Sequence, residues 1–185
     1  MTLTGWPSDS QPMTVRDLAA LPEDGRRHEL VDGVLYVSPA PGLPHQHAVF
    51  RLYGLLESGC PPGMDVVGGP FAVRSGDQVE LRPDLVVGRA GDFTDADLPV
   101  PPLLVVEVVS PSTRIHDRVT KKAVYERMGV PDYWVVDPAA LSLTAFELSE
   151  DGCYQQVAEI ARGETFETAR PFPVRVGLEA LMNRR

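Results

Sequence analysis

A chain of 185 residues, 43% hydrophobic and 23% charged, is long enough for one domain with a real core and has ordinary globular composition. No window approaches 18 consecutive apolar residues, the first 20 residues show no basic-then-apolar leader, and two cysteines do not make a disulfide framework. These features point to a cytoplasmic chain with reduced thiols and no membrane partner. The formal charge of −9, from 26 acids against 17 bases, excludes a general nucleic-acid coat protein, because phosphate contacts need Lys and Arg.

The bases are unevenly chosen and unevenly placed. Fifteen of them are arginine, and the only lysines are the adjacent Lys121 and Lys122. In a chain that uses arginine wherever charge alone is needed, a retained lysine is a candidate for lysine-specific chemistry. Divided into residues 1–100, 101–130 and 131–185, the chain is net positive only in the middle segment, five bases against three acids, and both lysines lie in it.

Residues 1–13 are polar and proline-rich and read as a flexible tail, with 14–185 as a single domain. Thr14 is placed to cap a short helix through Val15, Leu18 and Ala19, with Asp17 at its third position. Asp32-Gly33 predicts a tight hairpin turn between Glu29–Val31 and Val34–Val37. After the PAPGLP loop, Val49, Leu52, Leu55 and Leu56 recur at helical spacing, and Gly59 with the following prolines stops that helix. Asp65 to Val73 reads as a strand, and Leu85-Val86-Val87 as another entered through Pro83-Asp84. GDFTDADLPVPP reads as an acidic loop. Leu103 to Val109 is a buried-type strand. Ser112 or Thr113 can cap a helix from about Arg114 to Met128, ended by Gly129 and Pro131. Strand-like segments follow at Tyr133–Val136, Leu143–Leu148, Tyr154–Ile160 and Phe172–Val176. Mid-chain alternation of strands and helices predicts an α/β or α+β fold with a mixed sheet.

Three residues carry the chemistry. Glu107 lies inside LLVVEVV, where strand alternation puts it on one face with Val105 and Val109. A carboxylate there needs a salt-bridge partner or a metal. Asp84 reads either as a strand-entry aspartate or, with Glu107 on an adjacent strand, as half of an oxygen site for Mg²⁺, which commonly takes one or two carboxylates plus water and phosphate. On the following helix, Asp117, Lys121 and Tyr125 are spaced i, i+4, i+8 and share a face with Val124 and Met128, while Lys122 points about 100° away toward solvent. Lys121 is therefore the lysine to look inward. Read alone, it is either a surface partner of Asp117 or a group that orients water and neutralises phosphate charge. Cys60, Cys153, His28 and His116 have no readable role, and Tyr133 and Trp134 read as core or edge aromatics.

ELVDG, RPDLVV and VEVVSPSTRIHDRVTKKAVYERMGVPDYWVVDP together resemble the Uma-two family of restriction-endonuclease-like proteins, within the PD-(D/E)XK nuclease superfamily, over roughly Thr14 to Pro138. The resemblance implies a PD-(D/E)XK-like core with additional C-terminal strands. It implies that Asp84 and Glu107 hold the metal with Glu29 of ELVDG, and that Lys121 is the catalytic lysine. His45 matches a histidine that opens the next helix, and Asp117 and Tyr125 match supporting positions. One departure is visible. The superfamily lysine follows the acid by two residues on the strand, where this chain has Val109, so the lysine function is expected to have moved to Lys121.

The expected activity is endonucleolytic hydrolysis of phosphodiester bonds, in DNA, dependent on Mg²⁺ or Mn²⁺, with a metal-bound water as nucleophile and 5′-phosphate products as the superfamily implies. A homodimer would suit double-strand cutting. The rival expectation is a nuclease-fold protein that binds nucleic acid or a protein partner without cutting. Changing Glu107 or Lys121 to alanine is expected to abolish cleavage with little loss of folding.

Overall fold

The structure, a computed structural model, describes residues 11–110 and 116–182. Most of the expected tail, the Ser112/Thr113 cap and the start of the helix at Arg114 lie outside the described residues. Among the described residues no helix is long and apolar enough to cross a membrane.

Helix α1, Val15–Ala19, is closed by a capping box in which the Thr14 side chain and the Asp17 backbone, and the Asp17 carboxylate and the Thr14 backbone, satisfy each other. Strands β1 (Arg27–Val31) and β2 (Val34–Ser38) form the expected hairpin. Its turn needs positive φ at both central residues, and Asp32 at 50° and Gly33 at 77° supply it. Helix α2 runs Leu43–Gly59 and buries Ala48, Val49, Leu52 and Leu56.

The remaining strands are β3 (Met64–Gly68), β4 (Ala72–Arg74), β5 (Glu80–Leu81), β6 (Leu85–Arg89), β7 (Asp97–Leu98), β8 (Leu104–Val108), β9 (Asp132–Asp137), β10 (Ser142–Leu148), β11 (Tyr154–Ile160), β12 (Thr165–Thr168) and β13 (Val174–Gly177). A π-helical turn at His116–Lys121 leads into α3, Lys122–Met128, and α4 covers Leu178–Met182. The main sheet has the order β11-β10-β9-β8-β6-β3, with β8 and β9 parallel and the other pairs antiparallel. A second sheet has the order β2-β1-β5-β4-β7, and β12 pairs with β13.

The main sheet is covered on both faces, which is why β8 is buried along its whole length. Leu104, Val106 and Val108 face α2 in one core that also holds Trp134, Phe166 and Leu178. Val105 and Val109 face the other way, into a core shared with Val31, Val73 and Leu81 of the second sheet and with Val124 and Tyr125 of α3. Glu107, on that second face, is therefore aimed at the seam between the two sheets. The mixed α/β, α+β reading holds, and alternation along β8 divides as expected.

Five local expectations change. Asp65 to Val73 is not one strand: β3 joins the main sheet and β4 the second. The chain switches sheets at Gly69, whose N–H donates to the Asp84 carbonyl at 2.7 Å. The acidic loop contains β7, and the last expected strand begins at Val174, paired with the unforeseen β12. The helix after β8 opens with a π turn, stabilised where the Tyr133 hydroxyl donates to the Asp117 carbonyl at 2.7 Å. Lys122 is not simply solvated; its ammonium lies 4.7 Å from the Phe146 ring centroid, a cation–π contact.

Gly69 is the tightest backbone approach near Asp84: a Cβ there would lie 2.2 Å from the Pro83 carbonyl oxygen. Gly69→Ala is expected to cost about 2 kcal/mol through forced backbone displacement, read as a fall in Tm of about 5 °C by thermal denaturation. An unchanged Tm would mean the crossing is looser than drawn.

Candidate active site

The cluster is assembled from both sheets and the segment that follows β8. Period-two alternation along β1 turns Arg27 and Glu29 to the same side. Glu29 is 1% exposed, not a surface hairpin residue, and its Oε1 accepts from the Arg82 backbone N–H at 2.8 Å and lies 2.8 Å from Lys121 Nζ. Asp84, at the entry to β6, is held on three sides. Its Oδ1 accepts from Arg27 Nη2 at 2.7 Å, and its Oδ2 from the Val108 backbone N–H at 2.8 Å and meets His45 Nε2 at 3.1 Å. The backbone bond ties Asp84 to the strand that carries Glu107.

Glu107 Oε1 accepts from Lys121 Nζ at 3.0 Å and from the Tyr125 hydroxyl at 2.9 Å. Lys121 Nζ also lies 3.4 Å from Asp117 Oδ1. The π turn thus keeps Asp117 and Lys121 together and delivers Lys121, 1% exposed, into the seam. All seven residues singled out from the sequence (Glu29, His45, Asp84, Glu107, Asp117, Lys121 and Tyr125) meet in one region. Arg27 joins them although the sequence reading passed over it; its place two residues before Glu29 on one strand face was the available signal. The Arg82 and Val108 N–H groups left no trace in the sequence.

The electrostatics are unbalanced toward acid. Glu29, Asp84, Glu107 and Asp117 are all buried, against Lys121 and Arg27. Burial favours a neutral Lys121, but Glu107, Glu29 and Asp117 outweigh it and hold the ammonium charged well beyond its ordinary range. Burial works against Asp84 ionising, yet the His45 hydrogen bond and the Arg27 charge win and keep it well below the usual carboxylate range. Glu107 goes the other way. Burial and then the charges of Asp117, Asp84 and Glu29 push its pKa well up, against the pull of Lys121. Burial likewise raises Tyr125, so its hydroxyl stays a donor to Glu107.

A cavity of about 110 Å³ opens onto the cluster, lined by Arg27, Glu29, His45, Asp84, Asp117 and Lys121 together with the loop before α2. Glu107 does not line it. Among the described residues, no three His, Cys, Asp or Glu side chains form a ready-made ligand group. The donors nevertheless suit a hard divalent cation: carboxylate oxygens are what Mg²⁺ and Mn²⁺ take, two can suffice with water, and the cluster has two more carboxylates than side-chain cations.

A six-stranded mixed sheet with acids on neighbouring strands and a lysine over them defines a restriction-endonuclease-like fold. A family model for Uma2 (Uma-two), described as "Putative restriction endonuclease", matches residues 15–180, and the chain belongs to that family. It is also similar in fold to a protein of known structure from Anabaena variabilis, titled a "putative nuclease belonging to DUF820". The TM-score is 0.75 at 15% identity, covering 92% of this chain and 98% of the other. No curated protein matches.

The expectation that Lys121 can be removed with little loss of folding does not survive this geometry. Lys121→Met leaves three buried carboxylates facing one another and is expected to cost about 3–5 kcal/mol. Glu107→Gln keeps the shape and removes one of the excess acids, so at neutral pH it should match or exceed the wild type in urea denaturation. A strongly destabilised Glu107→Gln would refute the charge imbalance.

His116 is 3% exposed, stacks on Tyr36 at 4.4 Å, and has no hydrogen-bond partner at either ring nitrogen. Burial, with help from Lys121, lowers its pKa from 6.5 to about 4. Between those values the unfolded chain takes up a proton that the folded chain refuses, so this contribution is present above pH 6.5 and lost as pH falls through 4. His116→Phe should flatten the fall in stability between about pH 7 and about pH 4.5; an unaltered slope would place the acid sensitivity elsewhere.

Proposed function

We propose that this protein is a metal-dependent endonuclease that hydrolyses phosphodiester bonds in DNA. The observation that carries the reading is Lys121. A single ammonium is drawn within 3.4 Å of three buried carboxylates, on the wall of a cavity that also exposes Asp84. It lies beside the strand whose own lysine position is Val109. A purely structural ion pair has no use for four acids and an open cavity.

In this reading Asp84 and Glu107, with Glu29, hold Mg²⁺ or Mn²⁺; when bound, the cation supplies Lewis acidity and charge neutralisation. The chain's own groups do the rest. Lys121 offsets charge developing on the phosphate and orients the attacking water. Glu29 and Asp117 hold the ammonium in place, and Tyr125 fixes the Glu107 carboxylate. His45 and Arg27 orient Asp84. The site belongs to a cytoplasmic protein, and a homodimer would bring two such sites to a duplex.

The second reading, a nuclease fold that binds without cutting, draws on Asp84 itself, whose two oxygens are already taken by Arg27, His45 and the Val108 N–H. Supercoiled plasmid and RNA incubated with Mg²⁺ or Mn²⁺ separate the two. The wild type should nick and linearise plasmid, and Glu107→Gln should lose about 100-fold or more in rate while remaining folded. Metal should raise the wild-type Tm and leave Asp84→Asn unmoved. Cleavage by Glu107→Gln at the wild-type rate would overturn the assignment, and a folded wild type that neither cuts nor responds to divalent ions would favour the second reading.

A further inference from the structure

The acidic cavity has a basic neighbour. A second cavity, of about 170 Å³, shares Arg27, Pro39, Ala40, Pro41, His45 and Asp84 with the first. On the far side of that common wall its lining changes sign. Arg26 and Arg82 join Arg27, with Gln46 beside them, and among the described residues Asp84 is the only carboxylate that lines it. We propose that this second cavity is a phosphate subsite, which holds the backbone phosphate next to the one presented to Lys121. The inference rests on the nuclease reading only for which phosphate lies in the first cavity.

Arg82 and Arg27 are each held by an acid on one edge, and Arg26 stands largely free beside them. Arg82 donates from Nε and Nη2 to Glu80 Oε1 at 3.1 and 2.9 Å. Glu80 is 1% exposed and also accepts from Arg74 Nε at 2.8 Å, so its charge is shared between two guanidiniums. Arg27 uses Nη2 for Asp84. Arg26 touches Asp24 at only 3.6 Å, with its side chain 65% exposed. A guanidinium carries five donors in a rigid fork, and an acid on one edge aims the remainder.

The floor agrees with the walls. The cavity is bounded by Gln46 and His45 from the first turn of α2, whose N-cap is Gly42, with no side-chain cap and no acid in that turn. Pro44 has no N–H and the Gln46 N–H donates to the Gly42 carbonyl at 3.1 Å, so of the first-turn groups at this cavity the His45 N–H is the one that favours an anion. His45, 9% exposed, lines both cavities and has a buried Nδ1 with no hydrogen-bond partner. Phosphates recur about every 3.4 Å of helix axis on each strand, so two cavities sharing a wall suit consecutive phosphates. The subsite also offers a chain of charge −9 a local point of attraction for a polyanion, in the three arginines that line this cavity.

The test is the salt dependence of binding to a fluorescent 20-base-pair duplex, followed by anisotropy over a range of KCl in EDTA, alongside a cleavage assay. Each phosphate contact contributes about −0.9 to the slope of log K against log salt. Arg26→Ala and Arg82→Ala together, which strip two of the three arginines from one phosphate, should flatten the slope by close to 1 unit and weaken low-salt binding about tenfold or more. Arg26→Ala alone, at an exposed position, should flatten it by part of that unit with Tm unchanged. Arg175→Ala, an exposed arginine on β13, serves as the control and should leave the slope alone. An unchanged slope in the Arg26 variant, or an equal change in the control, overturns the subsite. Wild-type cleavage with an unchanged slope would sink the subsite and leave the nuclease reading standing. Arginine-dependent binding without wild-type cleavage would do the reverse.

Discussion

The rest of the structure is arranged around one ammonium group. Lys121 Nζ is the joint where Glu29 from one sheet, Glu107 from the other, and Asp117 from the intervening segment come within ion-pair range. Taking these charges out of water costs several kcal/mol per ion, roughly, and their mutual attraction repays it only with short, well-oriented contacts. The surrounding fold supplies that orientation. Two covered faces bury β8, a backbone N–H ties Asp84 to β8, and a π turn brings Lys121 to the seam.

The same group explains why the site is tense. One ammonium cannot neutralise three carboxylates, and Arg27 is committed to Asp84. Glu107 shows it most: burial first, and then the neighbouring acids, push its pKa up. Structural ion pairs tend toward neutrality, and this cluster, with four carboxylates against Lys121 and Arg27, does not. The adjoining cavity, lined by Arg26, Arg27 and Arg82, carries the opposite surplus, so two cavities that share a wall differ in sign.

Much of this was legible in the sequence, for identifiable reasons. Glu107 stood out because a single acid in an unbroken β-branched run breaks a strong pattern, and the alternation that placed it with Val105 and Val109 depends only on strand geometry. Asp32-Gly33 gave the hairpin because its φ requirement is local. Lys121 was separable from Lys122 by helical angle, even though the segment turned out to begin as a π turn; Asp117, Lys121 and Tyr125 remained on one side. What escaped notice was non-local. The two-residue strands β5 and β7 carry no periodicity of their own and exist because neighbouring strands offer hydrogen bonds. The break of Asp65–Val73 into β3 and β4 depends on where Gly69 meets Pro83 and Asp84. Arg27 was overlooked because its partner lies 57 residues away. Lys122 was read as solvated because the rings of β10 and β11 that it covers lie in later strands.

The placement of Glu29 and Lys121 on different layers has a consequence for the order in which the molecule is made. Glu29, Asp84 and Glu107 are synthesised first, and the lysine that holds two of them together follows 14 residues after the last. The π turn that aims it is pinned by Tyr133 on β9. A growing chain that has not reached β9 therefore holds like charges with no clamp, and its two sheets have electrostatic reason to stay apart. The cluster gains its last support when β9 docks beside β8, and a fragment that ends before β9 lacks the contact that pins the π turn.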